Sequence, residues 1–284
     1  MDLKNLPSTD ALIPSKMAEK AEQTGVFKVK QDELKTGFLA ILAGAFIAFG
    51  AVFATLVTTG SDLPYGVTKL LGGVAFSLGL ILVVIGGAEL FTGNNLITMA
   101  WAGRKVSFAQ MMKNWAIVYA GNMIGASSVV LMIYLSGHAI FGEGQVGVNM
   151  LRIAEHKCQL DFLQAFVLGI LCNILVCLAI WLCYSARSVE GKILAIIFPI
   201  TAFVAAGFEH SVANMYFIPM GLLLKAGAPI EFWEMTGLAI SSFQDLSLST
   251  YLWKNLLPVS LGNIVGGAGF VGLAYWFIYL RNKN

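Results

Sequence analysis

Charge is what this chain has least of. Only 12% of its 284 residues are Asp, Glu, Lys or Arg, while 57% are hydrophobic and the mean hydropathy is +0.76. A soluble domain carries about 25% charged residues, so an integral membrane protein is indicated. The net charge of +2 is too small for the basic footprint of a nucleic-acid binder. The first 36 residues are polar and mixed in charge, with neither the apolar core nor the cleavage site of an export signal, so their removal is not expected. Cysteine is scarce as well. Cys172, Cys177 and Cys183 share one apolar segment and Cys158 precedes it. That spacing suits neither a metal site nor a disulfide framework, and it reads as small packing residues. No Gly-x-Ser-x-Gly elbow or HExxH pair is present, so the adjacent His210 and Ser211 do not make a hydrolase. No enzyme, cofactor or metal site is therefore expected.

Long apolar runs are what it has, delimited by charges. They lie between Lys35 and Asp62, Lys69 and Glu89, Glu89 and Arg104, Lys113 and Glu143, Asp161 and Arg187, and Lys254 and Arg281. One more run is interrupted. It goes from Ile193 to Phe208, stops at Glu209-His210-Ser211 and resumes from Val212 to Leu224. Neither half reaches the roughly 20 residues of a spanning helix, and a polar break at mid-depth must line a cavity or be buried in protein. Counting each interrupted pair as one, an all-α membrane protein of six transmembrane elements is predicted, two of them broken. An even number puts both termini on one side. Of the 18 basic residues, Lys4, Lys16, Lys20, Lys28, Lys30, Lys35, Arg104, Lys105, Lys113, Arg187, Lys192, Arg281 and Lys283 share that side. Lys69, Arg152, Lys157, Lys225 and Lys254 lie opposite. The positive-inside rule makes the termini cytoplasmic.

The chain also repeats itself. Gly87-Ala-Glu89-Leu-Phe-Thr-Gly-Asn94 aligns with Gly207-Phe-Glu209-His-Ser-Val-Ala-Asn214, and Lys113-Asn114 through Gly121-Asn122 and Gly125 aligns with Lys254-Asn255 through Gly262-Asn263 and Gly266. Three elements per half is an odd number, so the halves are expected to be inverted, with a transport site at their interface near the midplane. The expected organisation is a cytoplasmic arm (1–36) with a short helix from Pro14 that stops at Gly25, a first repeat (37–142), a periplasmic connection (143–160), a second repeat (161–280) and a tail (281–284).

Glu89 and Glu209 are carboxylates in apolar surroundings. A structural role is expected for them, accepting hydrogen bonds from N–H groups freed by their own breaks, with Asn94 and Asn214 as paired neighbours. His210 has no counterpart, because Leu90 stands in its place. An ionisable residue that breaks the repeat is what a pH-responsive pore element would be, and Thr92 in the other break is placed to meet it. Thr92, Gly93, Asn94 and Asn95 are expected to cap the helix that follows. Helices that start at a break point their positive ends at the midplane, which suits an anion. Asn122, Asn173 and Asn263 would either line the path or bond across helices, and the Gly121/Gly125 and Gly262/Gly266 pairs would serve close packing.

These residues resemble the formate/nitrite transporter family. Gly207-Phe-Glu-His-Ser-Val-Ala-Asn-Met215, Gly87-Ala-Glu-Leu-Phe-Thr92, Leu171-Cys-Asn-Ile-Leu-Val-Cys-Leu-Ala-Ile-Trp181 and Leu261-Gly-Asn-Ile-Val-Gly-Gly267 carry the resemblance. Phe217-Ile-Pro-Met-Gly221 and Glu155-His-Lys157 point to its formate branch, while Thr92-Gly-Asn94 is equally similar to the nitrite branch. The resemblance implies an aquaporin-like homopentamer in a bacterial inner membrane, with one pore per protomer for a small weak-acid anion such as formate. Nitrite, hydrosulfide or a neutral solute are the alternatives. It further implies that Phe76, Leu80, Leu90 and Phe203 form hydrophobic constrictions and that Thr92 and His210 form the central polar pair. The loop Leu90-Phe-Thr92 would gate the cytoplasmic side, Asn173 and Asn263 would line the pore, and Lys157 would attract anions at the periplasmic mouth.

Overall fold

The structure, a computed structural model, describes residues 11–282, which are helical with no strand among them. Lys4 and Lys283 of the charge count therefore lie outside the described residues. In chain order the elements are α1 (Pro14–Lys30), α2 (Glu33–Thr58), α3 (Tyr65–Gly86), and then α4 (Phe91–Asn94) and α5 (Thr98–Ala102) joined by a 3-10 turn. They continue with α6 (Phe108–Leu135), α7 (Gln145–Gln159), α8 (Phe162–Ser185), α9 (Val189–Ala205), α10 (Ser211–Gly227) and α11 (Ile230–Thr236). The last helix, Thr250–Tyr279, contains α12 (Leu257–Ile264) between two π-helical stretches and ends in α13 (Ala274–Tyr279). Five helices are long and apolar enough to cross a bilayer: α2, α3, α6, α8 and the last one. Large apolar side chains such as Phe38, Phe198 and Phe270 face outward, as they do in a protein solvated by acyl chains or neighbouring copies.

The two interruptions fall where the sequence put them. Helix α3 ends at Gly86 and α9 at Ala205, and the chain turns at Gly87 (φ 78°) and Gly207 (φ 74°). Only glycine takes that left-handed conformation without strain. Asp32 and Asp161 start α2 and α8 in the same way, accepting from the N–H of Lys35 and Gln164 at 2.8 Å each.

Helix α1 is longer than expected. It passes through Gly25 to Lys30, because the missing side chain is used for packing and not for a stop. A Cβ at Gly25 would stand 3.0 Å from Ala100 Cβ and 3.4 Å from Ile97 Cα, so bare backbone lets α1 lie against α5. The segment 143–160 is mostly a helix too, α7, which buries Val146, Met150, Leu151 and Ala154 and packs on α10. Close crossings hold the bundle. A Cβ on Gly125 would run into the Ile41 carbonyl of α2, and one on Gly266 into the Ile170 carbonyl of α8. Between membrane helices such van der Waals contact takes over from hydrophobic burial as the driving force.

Candidate functional site

The site starts from backbone that two helix breaks leave unpaired. In the first, the Phe91 N–H donates to Asn122 Oδ1 at 2.9 Å, while Asn122 Nδ2 donates to the carbonyls of Ala40 (2.7 Å) and Glu89 (2.9 Å). In the second, the Ser211 N–H donates to Asn263 Oδ1 at 2.9 Å, and Asn263 Nδ2 reaches the carbonyls of Gly169 (2.8 Å) and Glu209 (3.0 Å). The N–H of each break glutamate bonds a carbonyl of an earlier spanning helix, Leu39 of α2 for Glu89 and Leu168 of α8 for Glu209. One asparagine from a distant helix thus closes each break. Thr92–Asn95 do not cap: they lie inside the helical turns, and Leu90 in the N-cap position makes no side-chain cap.

The glutamates do not accept the freed N–H groups; they hold side chains. Glu89 Oε2 accepts from Lys28 Nζ and Asn94 Nδ2, both at 2.7 Å. Glu209 Oε1 accepts from Lys157 Nζ at 2.7 Å, and its Oε2 from Asn214 (2.6 Å) and Asn255 (3.1 Å). Asn94 also donates to Asn114 and Asn214 to Asn255, while Asn114 and Asn255 donate back to the carbonyls of Lys28 and Lys157. Buried carboxylates persist only when paired in this manner. The two clusters match residue for residue, and they extend the repeat to α1 and α7. Sequence reasoning used Asn114 and Asn255 only to align the repeats and Lys28 only in the charge balance. The available signal was the shared spacing of Lys28-(x3)-Asp32 and Lys157-(x3)-Asp161.

Between the breaks, Thr92 Oγ1 and His210 Nε2 are 2.9 Å apart. His210 is the N-cap of α10: its Nδ1 accepts from the Ala213 N–H at 3.1 Å, which leaves the ring proton on Nε2, donating to Thr92. Thr92 is fully buried and His210 nearly so. Phe76, Leu80, Leu90 and Phe203 come together around His210 in a gap with no room for a water-sized sphere. The Phe203 ring stacks on the imidazole at 5.9 Å, and Phe76 meets Phe203 edge-on at 5.7 Å. Next to this constriction opens a vestibule of about 360 Å³, whose wall includes Phe76, Phe203, His210 and Lys157.

Asn173 and Asn263 stand behind the wall and line neither cavity. Asn173 Nδ2 donates to the carbonyls of Thr92 (3.3 Å) and Asn263 (2.7 Å) and to Asn95 Oδ1 (2.8 Å), so it fastens one break to the other half. The arrangement is therefore an apolar gap beside one hydroxyl–imidazole pair, built on a hydrogen-bonded polar frame. Among the described residues no cluster of His, Cys, Asp or Glu could hold a metal ion.

Comparison with known proteins accounts for this frame. The model of the formate/nitrite transporter family matches residues 15–277. The chain belongs to the formate/nitrite transporter family. It is 47% identical to the formate channel FocA of Escherichia coli K12 over 97% of both chains, and 44% identical to that of Haemophilus influenzae over 94% of both. A solved pentameric formate channel with formate bound superimposes with a TM-score of 0.84 at 50% identity, covering 88% of this chain and 98% of that one. An FNT family ion channel gives 0.80 at 28% identity, over 93% and 99%. These members are channels and not enzymes, and the present transporter shares their fold.

Proposed function

We propose that this family member is a pH-responsive channel or transporter for formate, in a bacterial cytoplasmic membrane with both termini cytoplasmic. The assembly would be a homopentamer with one pore per protomer. The relatives' substrate supports this reading, and so does the channel with formate bound. The matched Lys–Glu–Asn clusters favour two inverted repeats in an aquaporin-like arrangement of six crossing elements, since an odd number of crossings per half turns the second half over.

The observation that carries the mechanism is the 2.9 Å contact between Thr92 and His210 in an apolar neck. Stripping a small anion of water to enter such a neck costs of order 20 kcal/mol in the idealised limit. Two offsets are at hand. The N-terminus of α10 directs its dipole toward the neck, although Asn263 and His210 already take the N–H groups of Ser211 and Ala213. The larger offset is proton exchange: His210 takes a proton from solution at Nδ1, giving up its bond to the Ala213 N–H, and passes its Nε2 proton to the weak-acid anion, which crosses the Phe76–Leu80–Leu90–Phe203 ring uncharged and releases the proton beyond it. Thr92 holds the imidazole on the path and relays the proton.

In liposomes, formate flux of the wild type is expected to vary between pH 5 and 8, roughly the range in which histidine titrates, and His210→Asn to flatten that profile. Thr92→Val removes only a hydroxyl and strands the Nε2–H, a loss of about 1–3 kcal/mol, so flux should fall tenfold or more. An unchanged pH profile in His210→Asn would reject the proton-exchange mechanism. Nitrite flux measured in the same vesicles separates the two substrate branches.

A further inference from the structure

The vestibule is much larger than a one-carbon anion needs. About 360 Å³ falls in the range of pockets that hold organic ligands, roughly 300–1,000 Å³. The neck behind it admits nothing of that size. Its wall combines two lysines, Lys69 and Lys157, and His156 with an apolar surface of Leu160, Leu168, Phe208 and Phe217.

The cations are not equivalent. Lys157 is neutralised by Glu209 at 2.7 Å and lies 5.4 Å from the Phe217 ring centre. Both oxygens of Glu209 are occupied by Lys157, Asn214 and Asn255. The ion pairs among the described residues are Lys16–Glu19, Lys28–Glu89, Lys113–Glu33 and Lys157–Glu209. Lys69 is in none of them. Its ammonium rests 5.4 Å from the Tyr65 ring centre, a contact that leaves a positive charge uncompensated at the cavity wall.

We infer that the vestibule binds organic monoanions too bulky to pass, such as a carboxylate or sulfonate on an aromatic ring, and that they plug the pore. The anionic head sits at Lys69, and the ring lies on Leu160, Leu168 and Phe208. The free cation of the mouth is then Lys69, not Lys157. This inference rests on the pore reading above and adds a ligand class and a blocking site to it.

Benzenesulfonate is the probe, because it stays charged and does not leak through lipid as a neutral acid. It is titrated calorimetrically into the purified full-length protein and added to vesicles during formate flux. The expected result is saturable binding and a block of flux that raised formate relieves. Lys69→Met should weaken binding at least tenfold, the loss expected when a charged partner worth about 1.5–3 kcal/mol is removed. Ile153→Trp, which fills the cavity from its wall, should remove it. No binding or block in vesicles that carry formate would overturn the inference, as would wild-type affinity in both variants or transport of the probe itself. Wild-type vesicles that carry no formate but bind the probe in a Lys69-dependent way would overturn the transport reading and leave the site standing.

Discussion

Asn263→Leu is expected to abolish the folded transporter, although leucine keeps the heavy-atom count and the branching of asparagine. The side chain is fully buried and serves three backbone groups: the Ser211 N–H and the carbonyls of Gly169 and Glu209. Leucine leaves all three unpaired where water cannot reach them. Each orphaned group costs about 1–3 kcal/mol, against a typical net stability of about 5–15 kcal/mol. The loss therefore takes up much of the total, and it falls on the break that presents His210. Thermal melting and size-exclusion yield in detergent measure it directly. Asn122→Leu should do the same damage, since Asn122 serves Phe91, Ala40 and Glu89 in the same pattern. If one variant were tolerated and the other not, the two breaks would not be equivalent.

The sequence showed where the chain spans and where it breaks, because both depend on residue type along a short stretch. Charges bound each apolar run, and Gly87 and Gly207 mark the turns that only glycine makes easily. Partners were a different matter. Lys28 lies 61 residues from Glu89, and Asn255 lies 46 from Glu209, so neither pairing can be seen in a local pattern. In the charge balance Lys28 counted as one more solvated cation of a polar arm. The arm instead folds under the bundle and places that ammonium against a buried carboxylate. Gly25 misled for a related reason. A glycine after a helical run usually ends it, but here the close approach to Ala100 and Ile97 outweighs the modest cost of glycine inside a helix. The asparagines of the spans were legible as polar residues in an apolar setting. That they bond across helices depends on which carbonyls stand opposite, and only the packed structure supplies those.

The second large effect is expected at Glu209. Glu209→Ala leaves Lys157 without its partner while the lysine side chain is only 14% exposed, and it takes the acceptor from Asn214 and Asn255. Removing one member of a buried ion pair costs about 3–5 kcal/mol, mainly because the remaining charge has nothing to face. Lys157→Met should also be damaging, by stranding the carboxylate. The double variant Lys157→Met/Glu209→Gln removes both charges and keeps an oxygen for the two asparagines, so it should regain most of the stability lost by either single change. Melting of the wild type, Lys157→Met, Glu209→Gln and the double variant gives the coupling, and formate flux decides what the pair is for. A double variant that both folds and transports makes Lys157–Glu209 part of the frame, as its match to Lys28–Glu89 implies. Recovery of the fold without flux would move the pair onto the permeation path and return to Lys157 the anion-attracting role that the family resemblance implies.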